Sequence, residues 1–351
     1  MCYLTISINR FKKIVKTIFT KAGVTDEEAE VLTDALLTAN LSGVDSHGFG
    51  IIPGYLRHIK AGEWKSGQHA EIVHETSVIA RIDGHEGIGE LIAKESMEVA
   101  IRKAKENQVS AVSVFNCNHV GRLGYYTLMA AQQDMIGMMM CSTGPGVAPH
   151  GGVERVLGTN PISIAIPGKE FIFFLDIATS YRAAGWAREA MFKGEKIPVG
   201  WMISDKGQPV TDPSVKFLQP PDKSAALTFG GYKGYGLSLA IDILSGCLSG
   251  DGSTIFMHRS GRHEHNPLFI SVINIAAFTP VHDFKERVEY LFKAVKNSRK
   301  APDVEEILIP GELELRAWKK RSREGIPIHE KIWEEVALEA RKLGIDLEKI
   351  K

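Results

Sequence analysis

Residues 78–115 read VIARIDGHEGIGELIAKESMEVAIRKAKENQVSAVSVF. The apolar run from Val78 predicts a strand, Gly84, Gly87 and Gly89 mark a turn, and helix-forming residues continue to Gln108. Ala111 to Phe115 and Ile136 to Cys141 are strand-like runs on either side of a helical stretch from Tyr125 to Gln133. That alternation is the signature of an α/β fold. Further on, Ile162 to Ile166 and Phe171 to Asp176 read as paired strands across Pro167 and Gly168. Gly234 to Cys247 reads as an apolar helix and Phe269 to Ile275 as a buried strand.

Both ends of the chain are helical in pattern. Ile8, Phe11, Ile14, Val15, Ile18 and Phe19 recur at helical spacing, and Gly23 follows as a stop. Thr25 with Glu28 forms a capping-box signature opening a second helix that runs to about Asn40. C-terminal helices are expected around Phe284 to Val295, Glu312 to Glu324 and Lys331 to Leu343. A mixed sheet with a helical domain built from both termini follows, with residues 1–120 and 277–351 expected as one discontinuous domain and 121–276 as an insertion.

The chain has 351 residues, and 42 basic residues balance 42 acidic ones, for a pI near 7.2. No surplus of positive charge is available for phosphate backbones, so nucleic acid is not an expected partner. Cys2, Cys117, Cys141 and Cys247 lack any Cys-x-x-Cys spacing, which fits a reducing cytoplasm better than a disulfide framework. The longest uncharged run is broken by Gly144, Pro145, Gly146 and Pro149, so no membrane span and no secretory leader is expected.

No Gly-x-Gly-x-x-Gly follows a strand, and no Walker loop is present. A nucleotide would need other backbone amides. Asp176-Ile177-Ala178-Thr179-Ser180 ends an apolar strand with a carboxylate and two hydroxyls. Gly230 to Gly236 brings Lys233 to a helix start, and Pro310-Gly311-Glu312 opens another. Each also reads as an ordinary turn or cap. His47 and His119 sit in glycine-bearing loops beside hydrogen-bonding residues, as an acid/base histidine would. A serine hydrolase built on Ser46, His47 and Asp176 lacks the Gly-x-Ser-x-Gly elbow. His258, His263, Glu264 and His265 read as a solvated loop, so no metal is expected.

Six motifs occur in one order: Asp45-Ser46-His47-Gly48, Asn118-His119-Val120-Gly121-Arg122-Leu123-Gly124-Tyr125-Tyr126, Leu157-Gly158-Thr159-Asn160-Pro161, Leu175-Asp176-Ile177-Ala178-Thr179-Ser180, Lys233-Gly234-Tyr235-Gly236-Leu237 and Ile309-Pro310-Gly311-Glu312. From about Phe11 to Leu347 the chain resembles the type 2 malate/L-lactate dehydrogenase family, closest to its general hydroxycarboxylate dehydrogenase branch. The resemblance implies a family-specific, non-Rossmann dinucleotide-binding fold. It also implies a homodimer using NAD or NADP to interconvert 2-hydroxy acids and 2-oxo acids.

By the family pattern His47 is the proton donor and acceptor, Ser46 and Asp176 its hydrogen-bonding relay, and His119 a second acid/base candidate. The cofactor side is then His47, Gly121, Arg122, Leu123, Asp176 to Ser180 (Ile177, Ala178 and Thr179 included), Lys233, Gly234, Pro310, Gly311, Glu312 and Leu313. Ile51 replaces an Arg of many relatives, Trp186 replaces a Lys, and Cys117 stands where serine is usual. Substrate contacts therefore fall to Arg122, Arg188, Thr159 and Asn160, with Arg182 a further candidate for the carboxylate. The missing Arg and Lys also motivate a contrasting reading, a catalytically silent nucleotide binder acting as scaffold or sensor.

Overall fold

The computed structural model describes residues 3–182, 195–212, 223–262 and 265–350. Its centre is a seven-stranded mixed sheet of order β2-β3-β4-β10-β5-β6-β7. The strands are β2 (Glu71–Glu75), β3 (Ile79–Gly87), β4 (Val109–Cys117), β5 (Met135–Cys141), β6 (Ile162–Ile166), β7 (Phe173–Ile177) and β10 (Leu268–Asn274). Only β3 and β4 pair in parallel, which requires the long crossover helix Gly89–Asn107 between them. That helix packs Ile92, Met97, Ala100 and Ala104 onto Val112 and Val114 of β4, all fully buried. Helix Gly124–Ala131 covers β5 and β6. The expected helix, strand and mixed-sheet pattern of this stretch is what forms.

The helical layer is a second core. Phe11, Ile14, Val15, Ile18 and Phe19 of helix Ile8–Lys21 are all at 0% exposure and pack with Leu32 and Leu36 of helix Asp26–Leu41. The Thr25 and Glu28 capping box opens that second helix as its spacing requires. Trp333 and Val336 of helix Glu330–Lys342 join the same core. The chain ends are tied by a two-stranded ribbon, β1 (Tyr3–Ile6) with β11 (Ile326–His329), too short to announce itself in the sequence.

Residue 120, an expected domain boundary, falls between β4 and the strands β10 and β5 that lie beside it in the one sheet. The apolar stretch from Gly234 is α-helical over Tyr232–Ile241 and passes into a π turn over Asp242–Cys247. There Asp242 is buried and accepts from Ser142 Oγ (2.9 Å) and the Thr254 amide (2.9 Å). A small ribbon pairs β8 (Met202–Ile203) with β9 (Ala225–Ala226). Among the described residues no helix is long and apolar enough to cross a membrane.

Candidate active site

His47 ends a 3-10 turn, Asp45–His47, directly after helix Asp26–Leu41. Buried Asn40 holds the loop at both ends: its amide donates to Asp45 Oδ1 (2.6 Å) and its oxygen accepts from the Phe49 N–H (2.8 Å). Gly48 is required here, because a Cβ would stand 2.1 Å from Asn40 Oδ1. Arg321 of helix Glu312–Glu324 clamps Asp45 with two nitrogens, at 2.6 and 3.0 Å. Ser46 Oγ lies 3.0 Å from His47 Nδ1, which leaves Nε2 for a ligand.

His119 stands on a more rigid base. Asn118 Nδ2 donates to the carbonyls of Glu86 (2.7 Å) and Gly87 (2.9 Å). The crossover helix begins so close that a Cβ on Gly89 would fall 2.1 Å from the His119 carbonyl oxygen. The two imidazoles face one another, His47 and His119 stacked at 6.0 Å with an 11° interplanar angle. His119 Nδ1 accepts from the Gly121 amide (3.2 Å) and lies 2.6 Å from Tyr55 Oη, itself 2.5 Å from the fully buried Glu90 carboxyl. Burial pushes His119 down to about 3, with His47 and His58 adding to the shift, so this ring is neutral at neutral pH.

Arg122 and Asp176 form the charged side of the site. Arg122 Nε donates to Asp176 Oδ2 (2.8 Å), which also accepts from the Gly124 amide (3.1 Å). Gly124 permits this approach, since a Cβ would collide with Phe174 at 1.9 Å. The guanidinium carbon lies 4.6 Å over the Phe174 ring, and Nη2 is buried with no hydrogen-bond partner among the described residues. Asp176 hydrogen-bonds Arg122 and Gly124 and acts on His47 through its charge. Burial lowers the His47 pKa, Asp176 opposes that shift and Arg122 adds to it.

The segments expected around a cofactor are knitted together beyond β7. Thr179 donates its amide (2.8 Å) and hydroxyl (2.9 Å) to the Thr159 carbonyl, and its own carbonyl accepts from the Phe229 amide (3.0 Å). Ser180 bridges to Thr228 and donates Oγ to the Arg182 carbonyl. Asn160, fully buried at a positive φ of 32°, commits its amide to Thr143 N–H and the Ser238 carbonyl. Gly230 and Gly231 take left-handed conformations (φ 59° and 62°) to start helix Tyr232–Ile241, leaving Lys233 exposed at its first turn. Gly311, at φ 100°, lies against Phe174, and the Pro310 carbonyl accepts from the Phe174 amide (3.1 Å). Glu312 ties the preceding turn to its helix by accepting from the Ile309 amide (2.8 Å) and pairs with Lys296, while Leu313 is exposed.

Arg188 and Trp186 lie outside the described residues, as do His263 and Glu264. His265 turns its Nδ1 to buried Asp251 (3.1 Å), and among the described residues no three-member group of His, Cys, Asp and Glu is placed to hold a metal. Sequence reasoning missed Tyr55, Glu90, Asn40 and Arg321. Glu90 reads as an ordinary acidic residue in a helix first turn and Arg321 as one more charge in a basic run. The partners that give them meaning lie 35 and 276 positions away.

The family model for malate/L-lactate dehydrogenase matches residues 6–337. A malate dehydrogenase of Pyrococcus abyssi is 40% identical over 98% of this chain and 96% of its own. The hydroxycarboxylate dehydrogenase B of Escherichia coli O157:H7 is 33% identical over 94% and 92%. Among solved structures, the sulfolactate dehydrogenase of Methanocaldococcus jannaschii superimposes with a TM-score of 0.87 at 38% identity, covering 99% of both chains. Whole-length agreement in sequence and fold makes this chain a member of the malate/L-lactate dehydrogenase family.

Proposed function

We propose that this protein is a dehydrogenase of 2-hydroxy acids that uses NAD or NADP and interconverts them with 2-oxo acids. The observation that carries the reading is Arg122 Nη2, a cationic donor buried without a hydrogen-bond partner among the described residues, on a guanidinium whose charge acts on His47, one of two facing imidazoles. A buried charged donor left unpaired is costly, and a substrate carboxylate would satisfy it through a charge-assisted hydrogen bond. This role for Arg122 also answers the loss of the family Arg at Ile51.

The residues present suit a dinucleotide. Gly230 and Gly231 turn the chain into a helix N-terminus that carries the exposed Lys233 ammonium, and a Cβ on Gly234 would sit 2.1 Å from the Phe229 carbonyl oxygen, which accepts the Gly234 amide, so that turn is built for close backbone packing. Lys233, Gly234, Asp176 to Ser180, Gly121 to Leu123 and Pro310 to Leu313 would hold the group. Bound there, it supplies or takes up a hydride.

The protein supplies proton handling and orientation. In oxidation, neutral His47 accepts the hydroxyl proton at Nε2, while Ser46 holds Nδ1 and the Asp176 charge favours the resulting cation. In reduction the same nitrogen returns the proton. His119 keeps its neutral ring for hydrogen bonding to the reacting oxygen, and Arg122 orients the acid group. The assembly proposed is a homodimer, supported by the solvent-exposed apolar side chains Leu239, Ile243, Leu248 and Phe256 on one stretch of chain.

The test is absorbance of the reduced nicotinamide when the protein meets NADH or NADPH and a panel of 2-oxo acids. Consumption with at least one acid is expected. Dinucleotide binding with no consumption across the panel would instead identify a silent nucleotide-binding scaffold or sensor.

A further inference from the structure

Tyr55 Oη lies between two atoms, Glu90 Oε1 at 2.5 Å and His119 Nδ1 at 2.6 Å, and it has one proton to give. The Gly121 amide points at the same His119 nitrogen from 3.2 Å, and an amide hydrogen is a donor only. His119 Nδ1 must therefore be bare, and the tyrosine proton belongs in the Tyr55 to His119 bond. What remains is the contact between Tyr55 Oη and Glu90 Oε1. Two oxygens at this distance need a hydrogen between them, and the only one left to supply it is a carboxyl proton on Glu90.

We propose that Glu90 is held as a neutral carboxylic acid and serves as the positioning residue of the site. It donates to Tyr55, Tyr55 donates to His119 Nδ1, and the ring is thereby fixed as the tautomer that carries its proton on Nε2. His119 then presents a permanent donor to the reacting oxygen, leaving His47 as the group that gains and loses a proton. The functional half of this assignment rests on the 2-hydroxyacid reading, whereas the placement of the protons does not.

The surroundings agree. Glu90 is fully buried, and its second oxygen, Oε2, has no hydrogen-bond partner among the described residues, an arrangement far costlier for a carboxylate than for an acid. The titratable groups facing it are Tyr55, Tyr125 and Tyr126 from two helices and Cys117 from β4, each raised by burial and uncharged at neutral pH. Burial outweighs the opposing effect of hydrogen bonding with Tyr55 and the Glu90 backbone and pushes the carboxyl up to about 8.

The test uses the full chain and three readouts. Infrared difference spectra of wild type minus Glu90→Gln at pH 7 are expected to show the carbonyl band of a buried protonated carboxyl. Nitrogen NMR of His119 is expected to show bare Nδ1 and protonated Nε2 in wild type and in Glu90→Gln, whose amide still donates to Tyr55. In Tyr55→Phe, where only the longer 3.2 Å Gly121 contact still favours bare Nδ1, it is expected to show a share of the other tautomer appearing. With a turned-over 2-oxo acid, Glu90→Gln should stay within about threefold of wild-type kcat, while Tyr55→Phe loses roughly tenfold in kcat with KM little changed. A carboxylate band in place of the acid band overturns the proposal, as does a Glu90→Gln variant that loses the tautomer along with Tyr55→Phe. If the spectra come out as expected but wild type turns over no acid, the 2-hydroxyacid reading fails and the proton placement stands.

Discussion

The two histidines face each other at 6.0 Å but are held in different ways. The His47 loop is pinned by long polar side chains, Asn40 from the helix before it and Arg321 from a helix at the far end of the chain. The His119 loop adds close backbone packing to its polar contacts: Gly89 is pressed under its carbonyl, while the Asn118 side chain spans two strand-end carbonyls and the Glu90 and Tyr55 pair stands behind the ring. Polar clamps leave a loop room to adjust, and close-packed backbone does not. In the proposed mechanism the group that changes charge each turnover, His47, sits on the adjustable side, and the fixed donor, His119, sits on the rigid side.

That contrast can be broken from either end. His47→Ala should remove roughly 10²- to 10⁴-fold of turnover, the usual contribution of a positioned acid/base, while dinucleotide binding by fluorescence is retained. Unchanged turnover in this variant would move proton transfer to His119. Gly89→Ala forces a methyl against the His119 carbonyl, and urea unfolding should report a loss of about 3 kcal/mol, at the upper end of overpacking penalties. A near-neutral result there would mean that the His119 loop is as pliant as its partner.

Arg321→Ala is the matching cut on the polar side. The Asp45 carboxylate is 44% exposed in this pair, so stability should change by no more than about 1 kcal/mol while turnover falls several-fold as the His47 loop loosens. Equal losses in both quantities would remove the distinction. The smallest effect expected is a shift of a pH midpoint. Burial favours neutral His47, so kcat/KM for oxidation should fall on acidification with a midpoint below the ordinary histidine value of 6.5, and a midpoint above it would contradict the assignment. His119, pushed down to about 3, makes the folded state resist protonation, so the stability tied to its neutral form is lost as pH falls from about 6.5 toward 3. A His119→Gln variant should flatten that fall.

Period and punctuation made most of the fold readable. Helical spacing from Ile8 to Phe19 and the strand, glycine turn and helix of residues 78–108 are local patterns, and they form as their residues dictate. The β1 and β11 ribbon was not legible because four-residue strands more than 300 positions apart carry no local signature. Nor was the π turn at Asp242, which exists because Ser142 and Thr254 draw that carboxylate inward. The site divides along the same line. Ser46, His47, His119 and Asp176 are legible as reactive residues in loops and at a strand end. Glu90, Tyr55 and Arg321 lie on ordinary-looking helices and acquire a role only through a partner the chain brings from elsewhere. Arg122 was readable as a charge, but that Asp176 takes its Nε while Nη2 is left without a hydrogen-bond partner among the described residues depends on a contact 54 positions away.

The proposed hydride transfer to the C2 carbon of a 2-oxo acid can be followed by isotope transfer. Reduced dinucleotide carrying deuterium at both hydrogen positions of the nicotinamide C4 is incubated with the protein and the 2-oxo acid panel, and the products are examined by mass spectrometry and proton NMR. A 2-hydroxy acid carrying deuterium on C2, formed by wild type and suppressed in His47→Ala, is the predicted result. Failure to form any 2-hydroxy acid while the dinucleotide is bound, or formation of one without deuterium at C2, would contradict it.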